Sequence, residues 1–202
     1  MMDRFVYIVD DDPTVLDATK MLVESMGFNA RTFPSAVDFL NEFEPESRGC
    51  LILDVRMPSM SGIDLQSELS QRDCNLPIIF ITGHGDVPLA VRAMQAGAID
   101  FLEKPYNDQR LLDGINKAFE VELANHAKHQ EIKEIRAKLG DLTPREREVM
   151  ERVVAGQANK VIAAELELSE RTVEIHRSRV MSKMSCRSVA ELVTMVNRVS
   201  AT

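Results

Sequence analysis

The chain has 202 residues, of which 45% are hydrophobic, and this size suits one large globular domain or two small ones. No apolar stretch reaches the roughly 18 residues of a membrane span. The N-terminus does not resemble a signal peptide, and the three cysteines lack metal-ligand spacing, so we expect a cytoplasmic protein in a reducing compartment.

Charge is unevenly distributed along the chain. Residues 1–122 carry 21 acidic and 10 basic side chains, and this excess of negative charge disfavours binding of this half to DNA or membranes. Residues 123–140 and 141–202 have net charges of +2 and +1.

Strand and helix patterns alternate through residues 1–122. The strand patterns are short, apolar and β-branched without a polar alternation, which is typical of buried strands in a parallel sheet. Helix patterns begin at residues such as Pro13 and Ser35 and end at glycines such as Gly27 and Gly97. Five βα units predict an α/β domain with a five-stranded, doubly wound parallel sheet. The predicted strands are 5–10, 28–33, 50–54, 77–82 and 98–102, and the predicted helices are 13–26, 35–44, 62–72, 86–96 and one that begins near residue 107.

The last of these helices is predicted to continue beyond the first domain. Apolar residues recur at spacings of three and four toward Leu139, and no Gly or Pro interrupts the segment between Ile115 and Leu139. We therefore predict a charged helical linker at residues 123–140, ended by Gly140. A flexible charged linker is the alternative.

Residues 141–202 show only helical patterns and predict a small all-α domain of four helices. Thr143 and Glu146 form a capping-box pattern at the start of the first helix, which ends near Gly156. The remaining helices are predicted at 158–166, 170–184 and 188–198. The second and third of the four, separated by a short turn with Ser169 as the cap, fit a helix-turn-helix whose second helix enters the DNA major groove.

Polar residues follow the predicted strands at the edge where their carboxyl ends meet. Asp10, Asp11, Asp54, Thr82 and Lys104 should converge there, because ligands of open α/β sheets bind outside this edge. Neighbouring carboxylates repel one another, and oxygen ligands suit Mg²⁺, whose usual further partner is phosphate. Asp54 is then predicted to be the nucleophile that forms an acyl phosphate. Lys104 would neutralise a phosphoryl oxygen, and the Thr82 hydroxyl would donate a hydrogen bond to the same group.

A set of motifs extends along the first half. It consists of Asp10-Asp11, Leu53-Asp54-Val-Arg-Met-Pro58, Gly62, Thr82-Gly-His-Gly85, Ala96-Gly97-Ala98 and Lys104-Pro105. With these motifs, the first half resembles the receiver domain of two-component response regulators.

This resemblance implies that Asp54 is the phosphoacceptor and that Asp11, Asp54 and the backbone carbonyl of Arg56 bind Mg²⁺, with Asp10 acting through water. It also implies that Phe101 is the switching aromatic residue; a simple core residue is the alternative. No nucleophile pairs with His84 in the sequence, so we expect His84 to pack in a loop or lie at the surface.

The second half carries a further series of motif residues. They are Leu142-Thr-Pro-Arg-Glu146, Asn159-Lys160, Ile162-Ala163, Thr172-Val173, His176-Arg177, Met184, Ser188 and Glu191-Leu192-Val193. With these residues, the second half resembles the LuxR/FixJ-type DNA-binding domain, and the whole chain is similar to FixJ-like response regulators.

This second resemblance implies two kinds of DNA contact. The expected base contacts are Glu174, Ile175 and Ser178, and His176 is expected to pack or bind phosphate rather than a metal. Relatives often have Lys at the position of Glu174, so the base preference there is open. The residues expected mainly to contact phosphates are Lys160, Arg171, Thr172, Arg177, Arg179 and Lys183.

Together the two resemblances imply a transcription factor rather than an enzyme. A sensor histidine kinase would phosphorylate Asp54 with Mg²⁺, and the phosphorylated protein would form a homodimer through the face of residues 86–102, with Val91 and Gln95 as contacts. The dimer would bind double-stranded DNA, with RNA polymerase as a further possible partner and no membrane, and activation is the commoner outcome in relatives. The alternatives are an aspartyl-phosphate hydrolase of small phosphoesters and a phosphate-independent adaptor with a decayed receiver.

Overall fold

The computed structural model describes residues 4–44, 47–72, 74, 76–83 and 87–200. Within these ranges, none of the helices has the length and apolar character needed to cross a membrane. The chain divides into two compact units, Met1–His126 and Ala127–Thr202.

The first unit is built on a sheet of five parallel strands in the order β2-β1-β3-β4-β5. This order is one of the two common arrangements of doubly wound α/β folds, and it confirms the predicted five-stranded parallel sheet. The strands are β1 (Phe5–Val9), β2 (Asn29–Phe33), β3 (Gly49–Asp54), β4 (Ile78–Thr82) and β5 (Asp100–Glu103).

Helices cover both faces of the sheet, so two apolar cores form. Successive residues of the central strands alternate between these cores: Leu51 and Leu53 belong to one core, and Cys50 and Ile52 belong to the other. All six residues of β3 are buried, which explains why the strand sequences lack a polar alternation. The helices of this unit are α1 (Pro13–Ser25), α2 (Ala36–Glu42), α3 (Gly62–Gln71), α4 (Val87–Gln95) and the first part of α5 (Asp108–Gly140).

Side-chain caps fix where several of these helices begin. Ser35 accepts a hydrogen bond from the Asp38 amide at 3.1 Å, as the sequence predicts, and Asp12 accepts one from the Thr14 amide at 2.8 Å. At the start of α3 the Ser61 and Asp64 side chains form a reciprocal capping box.

β5 begins later than predicted, at Asp100 rather than at residue 98. The Ala98 amide donates to the Ala93 carbonyl at 3.1 Å and so closes the last turn of α4 instead of joining the sheet. Gly97 makes this turn possible because its φ is +92°.

An ion pair holds α5 against the amino-terminal edge of the sheet. Arg48, which precedes β3, donates two hydrogen bonds to the carboxylate of Glu122, at 2.7 and 3.1 Å. Both side chains are largely buried, so each charge depends on the other for its neutralisation.

The second unit contains the last part of α5 and the helices α6 (Pro144–Val154), α7 (Asn159–Glu165), α8 (Glu170–Met184) and α9 (Val189–Ser200). Residues 123–140 form the last part of α5 and are therefore helical, as predicted. The capping box of Thr143 and Glu146 and the Ser169 cap are both present. Val149, Val173 and Leu192 are among the fully buried residues of the core, which confirms the predicted four-helix domain.

Candidate functional site

The predicted polar residues of the first unit meet at the carboxyl edge of the sheet. Asp10 directly follows β1, Asp54 ends β3, Thr82 ends β4 and Lys104 directly follows β5. Lys104 Nζ lies 2.5 Å from Asp10 Oδ2 and 2.7 Å from Asp54 Oδ1, although these residues are 94 and 50 positions away in the chain. One ammonium group therefore bridges two carboxylates at the edge where the sequence predicts the phosphorylation site.

Asp54 is held by its surroundings rather than free in solvent. Its residue surface is only 4% exposed, and the Arg56 amide donates to Asp54 Oδ2 at 2.7 Å. Burial raises the pKa of the Asp54 carboxyl above its ordinary value, and the hydrogen bond from Lys104 partly opposes this rise. Both oxygens of this side chain thus have donors that fix its orientation.

Lys104 remains charged in this setting. Burial by itself would lower the pKa of the Lys104 ammonium, but its hydrogen bonds with Asp10 and Asp54 outweigh burial, and its pKa is raised. A positive charge next to Asp54 is available to balance negative charge that develops on a bound phosphoryl group.

The acidic residues at the end of β1 differ in their roles. Asp10 is buried, and its Oδ1 accepts a hydrogen bond from the Asp12 amide at 3.0 Å. Asp11 is exposed, and Asp12 caps α1. The three consecutive acidic residues therefore have separate roles: Asp10 binds Lys104, Asp11 is exposed and Asp12 caps α1.

The donor set has the chemistry that Mg²⁺ prefers, because it consists of carboxylate and carbonyl oxygens beside solvent. In the part of the chain that the structure describes, however, no three acidic, His or Cys side chains are grouped closely enough to hold a metal ion. In this arrangement the Lys104 ammonium forms ion pairs with both Asp10 and Asp54. Binding of Mg²⁺ by Asp10, Asp11, Asp54 and the Arg56 carbonyl therefore stays a prediction.

Gly62 allows α3 to approach the end of β3, where Asp54 lies. A Cβ atom at this position would lie 2.2 Å from the backbone carbonyl oxygen of Asp54 and 3.0 Å from Cγ of Leu53. The Gly62 amide also donates to the Val55 carbonyl at 3.0 Å. A residue without a side chain is required here so that α3 can support the end of β3.

The predicted switch residues lie on the strands next to this site. Thr82 is buried, and Phe101 is half-buried with its ring centroid 6.3 Å from that of Phe80. On α4, Val91 and Gln95 are exposed, as a dimer contact requires. His84 lies outside the described residues.

The second unit presents one exposed face of α8. Buried Val173, Val180 and Met184 hold the opposite face against the core. Ile175 is 46% exposed and lies on the outward side of the helix. The exposed residues of this face, which we call the reading face, are Arg171, Glu174, Ile175, Ser178 and Arg179.

The other predicted DNA-binding residues differ in their hydrogen bonds. Lys160 on α7 is exposed, and the Thr172 hydroxyl lies 2.8 Å from that of Ser169. Arg177 and Lys183 both make hydrogen bonds within the domain, to Asn159 and to Glu146, although Lys183 is itself exposed. The sequence pattern identifies Glu146 only as a cap and indicates neither of these partnerships. His176 Nδ1 is buried without a hydrogen-bond partner.

Comparisons with known proteins agree with this architecture. Residues 6–116 match the response regulator receiver domain family, and residues 141–196 match the luxR family of bacterial regulatory proteins. Response regulator protein TmoT of Ectopseudomonas mendocina is 45% identical over 196 residues, which cover 97% of this chain and 89% of that protein.

A second relative and a solved structure also match nearly the whole chain. Transcriptional regulatory protein FixJ of Rhizobium meliloti (strain 1021) is 46% identical, with 96% of each chain covered. The structure of response regulator StyR is 42% identical with a TM-score of 0.81, and the match covers 97% of this chain and 99% of that one. The chain therefore belongs to the response regulators that join a receiver domain to a DNA-binding domain of the luxR family, and it is a transcription regulator rather than an enzyme.

Proposed function

We propose that Asp54 accepts a phosphoryl group from a sensor histidine kinase and that this modification promotes dimerisation and sequence-specific DNA binding. The observation that carries the proposal is the contact of Asp54 with Lys104, 2.7 Å, at the carboxyl edge of the sheet. In the transfer, an Asp54 carboxylate oxygen attacks the phosphorus atom of the donor. The bond from phosphorus to the donor breaks as the acyl phosphate forms, and the donor leaves with the bonding electron pair.

The protein's own residues position and neutralise the reacting groups. Lys104 pairs with a phosphoryl oxygen, and the Thr82 hydroxyl donates a hydrogen bond to the phosphoryl group. The Arg56 amide, which already donates to Asp54 Oδ2 at 2.7 Å, orients the carboxylate.

We further propose that Asp10, Asp11, Asp54 and the Arg56 carbonyl hold Mg²⁺. When bound, Mg²⁺ neutralises phosphoryl oxygens and stabilises the charge that develops during transfer. The buried position of Asp10 and the exposed position of Asp11 give the site one fixed and one accessible carboxylate.

The route from Asp54 to dimerisation uses the edge of the sheet next to the site. Thr82 moves toward the phosphoryl group, Phe101 changes rotamer beside Phe80, and the face of residues 86–102 changes. Val91 and Gln95, both exposed on α4, form the contact with a second copy of the chain. A dimer makes binding of the second DNA half-site intramolecular, which raises the overall affinity.

DNA is read through the exposed residues of the second unit. Glu174, Ile175 and Ser178 contact base edges, and Lys160, Arg171, Thr172 and Arg179 contact phosphates. The net charge of −11 on residues 1–122 repels DNA, so sequence recognition rests on the helical domain.

One experiment tests the central step. The protein and its Asp54→Asn variant are incubated with acetyl phosphate and Mg²⁺, and their mass, their mobility on a phosphate-affinity gel and their oligomeric state are measured. Wild type should gain one phosphoryl group and form dimers, and Asp54→Asn should do neither. Asp17→Asn, which removes one exposed carboxylate from α1, is the matched control and should behave as wild type. Phosphorylation or phosphate-dependent dimerisation of Asp54→Asn would refute the proposal.

A further inference from the structure

Two basic side chains of α8 form hydrogen bonds to other parts of the same domain. Arg177, in the middle of α8, donates from Nη1 to Asn159 Oδ1 at 2.6 Å, and Asn159 is the first residue of α7. The same arginine lines an apolar cavity of the core together with Val149 and Val180. Its long stem therefore packs like a core side chain while its guanidinium joins α8 to α7.

Lys183, in the last turn of α8, makes a second connection. Its ammonium lies 2.7 Å from Glu146 Oε2 and 3.0 Å from the Asp141 carbonyl oxygen. Glu146 is buried and also accepts a hydrogen bond from the Thr143 amide at 2.9 Å. The hydrogen bond from Lys183, followed by that from Thr143, lowers the pKa of the Glu146 carboxyl to about 2, so this group is charged at neutral pH. A Lys183 that turned outward to a phosphate would leave a buried carboxylate without its counter-ion.

The other cations predicted to contact phosphates are Arg171 and Arg179 on α8 and Lys160 on α7, and all three are exposed. Lys183 is exposed as well, so its contact with Glu146, and not burial, distinguishes it from them. Within the described part of the chain, the side chains of Arg171, Arg179 and Lys160 have no hydrogen bond or ion pair with the protein, which leaves their charges available to DNA phosphates.

We propose that Arg177 and Lys183 are positioning residues that set the direction of α8 through their hydrogen bonds to Asn159 and Glu146, and that Arg171, Arg179 and Lys160 supply the attraction to DNA phosphates. Arg177 fixes the middle of α8 to α7, and Lys183 fixes its last turn to the start of α6. Two connections at different positions along one helix fix the direction of the helix axis. The direction of this axis determines which bases the reading face contacts. The inference rests on the DNA-binding function, and it reassigns two cations that the sequence pattern places among the phosphate contacts.

Salt dependence and sequence preference together separate these roles. A lost phosphate contact weakens binding to all sequences equally and reduces the slope of log affinity against log salt by about 0.9. A displaced helix instead lowers the ratio of affinities for a preferred and a scrambled duplex and leaves the slope unchanged, because the number of phosphate contacts is preserved.

The experiment uses the full chain and a duplex selected by this protein from a random pool, with a scrambled duplex of the same composition. Arg171→Met and Arg179→Met are the matched variants, since each removes one exposed cation from α8. They should reduce the slope by about 0.9 per bound subunit and leave the affinity ratio unchanged. Arg177→Met and Lys183→Met should keep the wild-type slope and lower the ratio by roughly tenfold.

Lys183→Met leaves the Glu146 carboxylate unpaired and can destabilise the domain, so the double variant Glu146→Gln/Lys183→Met is measured as well. This variant removes both charges, and we expect the same slope and the same lowered ratio. A reduced slope in the Arg177 or Lys183 variants overturns the inference, as does an unchanged affinity ratio. Failure of the wild-type protein to select and bind any duplex would refute the DNA-binding function itself, which distinguishes the two conclusions.

Discussion

The substitution Gly62→Ala is expected to displace Asp54, the proposed phosphoacceptor, without changing its carboxylate. The new Cβ would lie 2.2 Å from the Asp54 carbonyl oxygen. Because carbon–oxygen contacts normally lie at about 3.3–3.6 Å, α3 and the end of β3 must separate by about 1 Å to admit it. The nearest atoms belong to the backbone, so they cannot be relieved by a side-chain rotation.

The energetic cost follows from two contributions. Overpacking of a close backbone contact costs about 1–3 kcal/mol. Loss of the hydrogen bond from the Gly62 amide to the Val55 carbonyl, now 3.0 Å, adds about 1 kcal/mol. We expect a loss of about 2–4 kcal/mol in the free energy of unfolding, which a domain of ordinary stability survives. Displacement of Asp54 from Lys104 by about 1 Å should slow acyl phosphate formation by roughly tenfold to a hundredfold.

Urea unfolding followed by circular dichroism measures the first effect, and the rate of phosphorylation by acetyl phosphate on a phosphate-affinity gel measures the second. The control is Gly140→Ala, because a Cβ atom at Gly140 meets nothing within 4 Å. This control should match wild type in phosphorylation rate. If Gly62→Ala unfolds at the wild-type urea concentration and is phosphorylated at the wild-type rate, the reasoning from the close contact is wrong.

Three further outcomes follow from charges that the fold brings together. Lys104→Met should tighten Mg²⁺ binding by roughly tenfold, because the bridging ammonium competes with the metal ion and unit charges near a protein surface interact by up to about 4 kcal/mol. Weaker Mg²⁺ binding by the variant in a calorimetric titration would contradict this. The lowered pKa of Glu146, about 2 against 4.5, means that its stabilisation is present above pH 4.5 and is lost as the pH falls toward 2. Glu146→Gln should therefore flatten the acid dependence of unfolding over this range, and an identical dependence in both proteins would argue against it. Arg48→Met should lower the free energy of unfolding, measured with urea, by about 3–5 kcal/mol because it leaves Glu122 buried and unpaired. Adding Glu122→Leu should restore most of this loss, and equal destabilisation of the single and double variants would refute the explanation.

The strand-end residues were predictable because a parallel sheet imposes one rule on all of them. Each apolar run had to be a buried strand, and every such strand ends at the same edge, so Asp54 and Lys104 had to meet across 50 positions of sequence. Caps were predictable for a similar reason. Ser35, Thr143 and Ser169 act on amides within three residues, so no knowledge of the tertiary structure was needed.

The interhelical partnerships of the second unit were not predictable in this way. Lys183 and Glu146 are 37 positions apart, and Arg177 and Asn159 are 18 apart, on helices whose crossing angles the sequence pattern does not specify. The pattern therefore grouped all basic residues of α8 as phosphate contacts. The predicted start of β5 was too early because the Ala98 amide could donate either within the sheet or to the last turn of α4. In the structure it donates to the Ala93 carbonyl of α4.

The division of α8 into a buried side and a reading face suggests how regulators of this kind acquire new target genes. The residues that anchor the helix, such as Val173, Val180 and Met184, are separate from Glu174, Ile175 and Ser178, which face outward. Exchanging the outward residues leaves the packing of the domain intact, so promoter choice and folding can evolve independently. A designer could retarget the protein by transplanting these few side chains from another regulator while leaving the receiver domain unchanged.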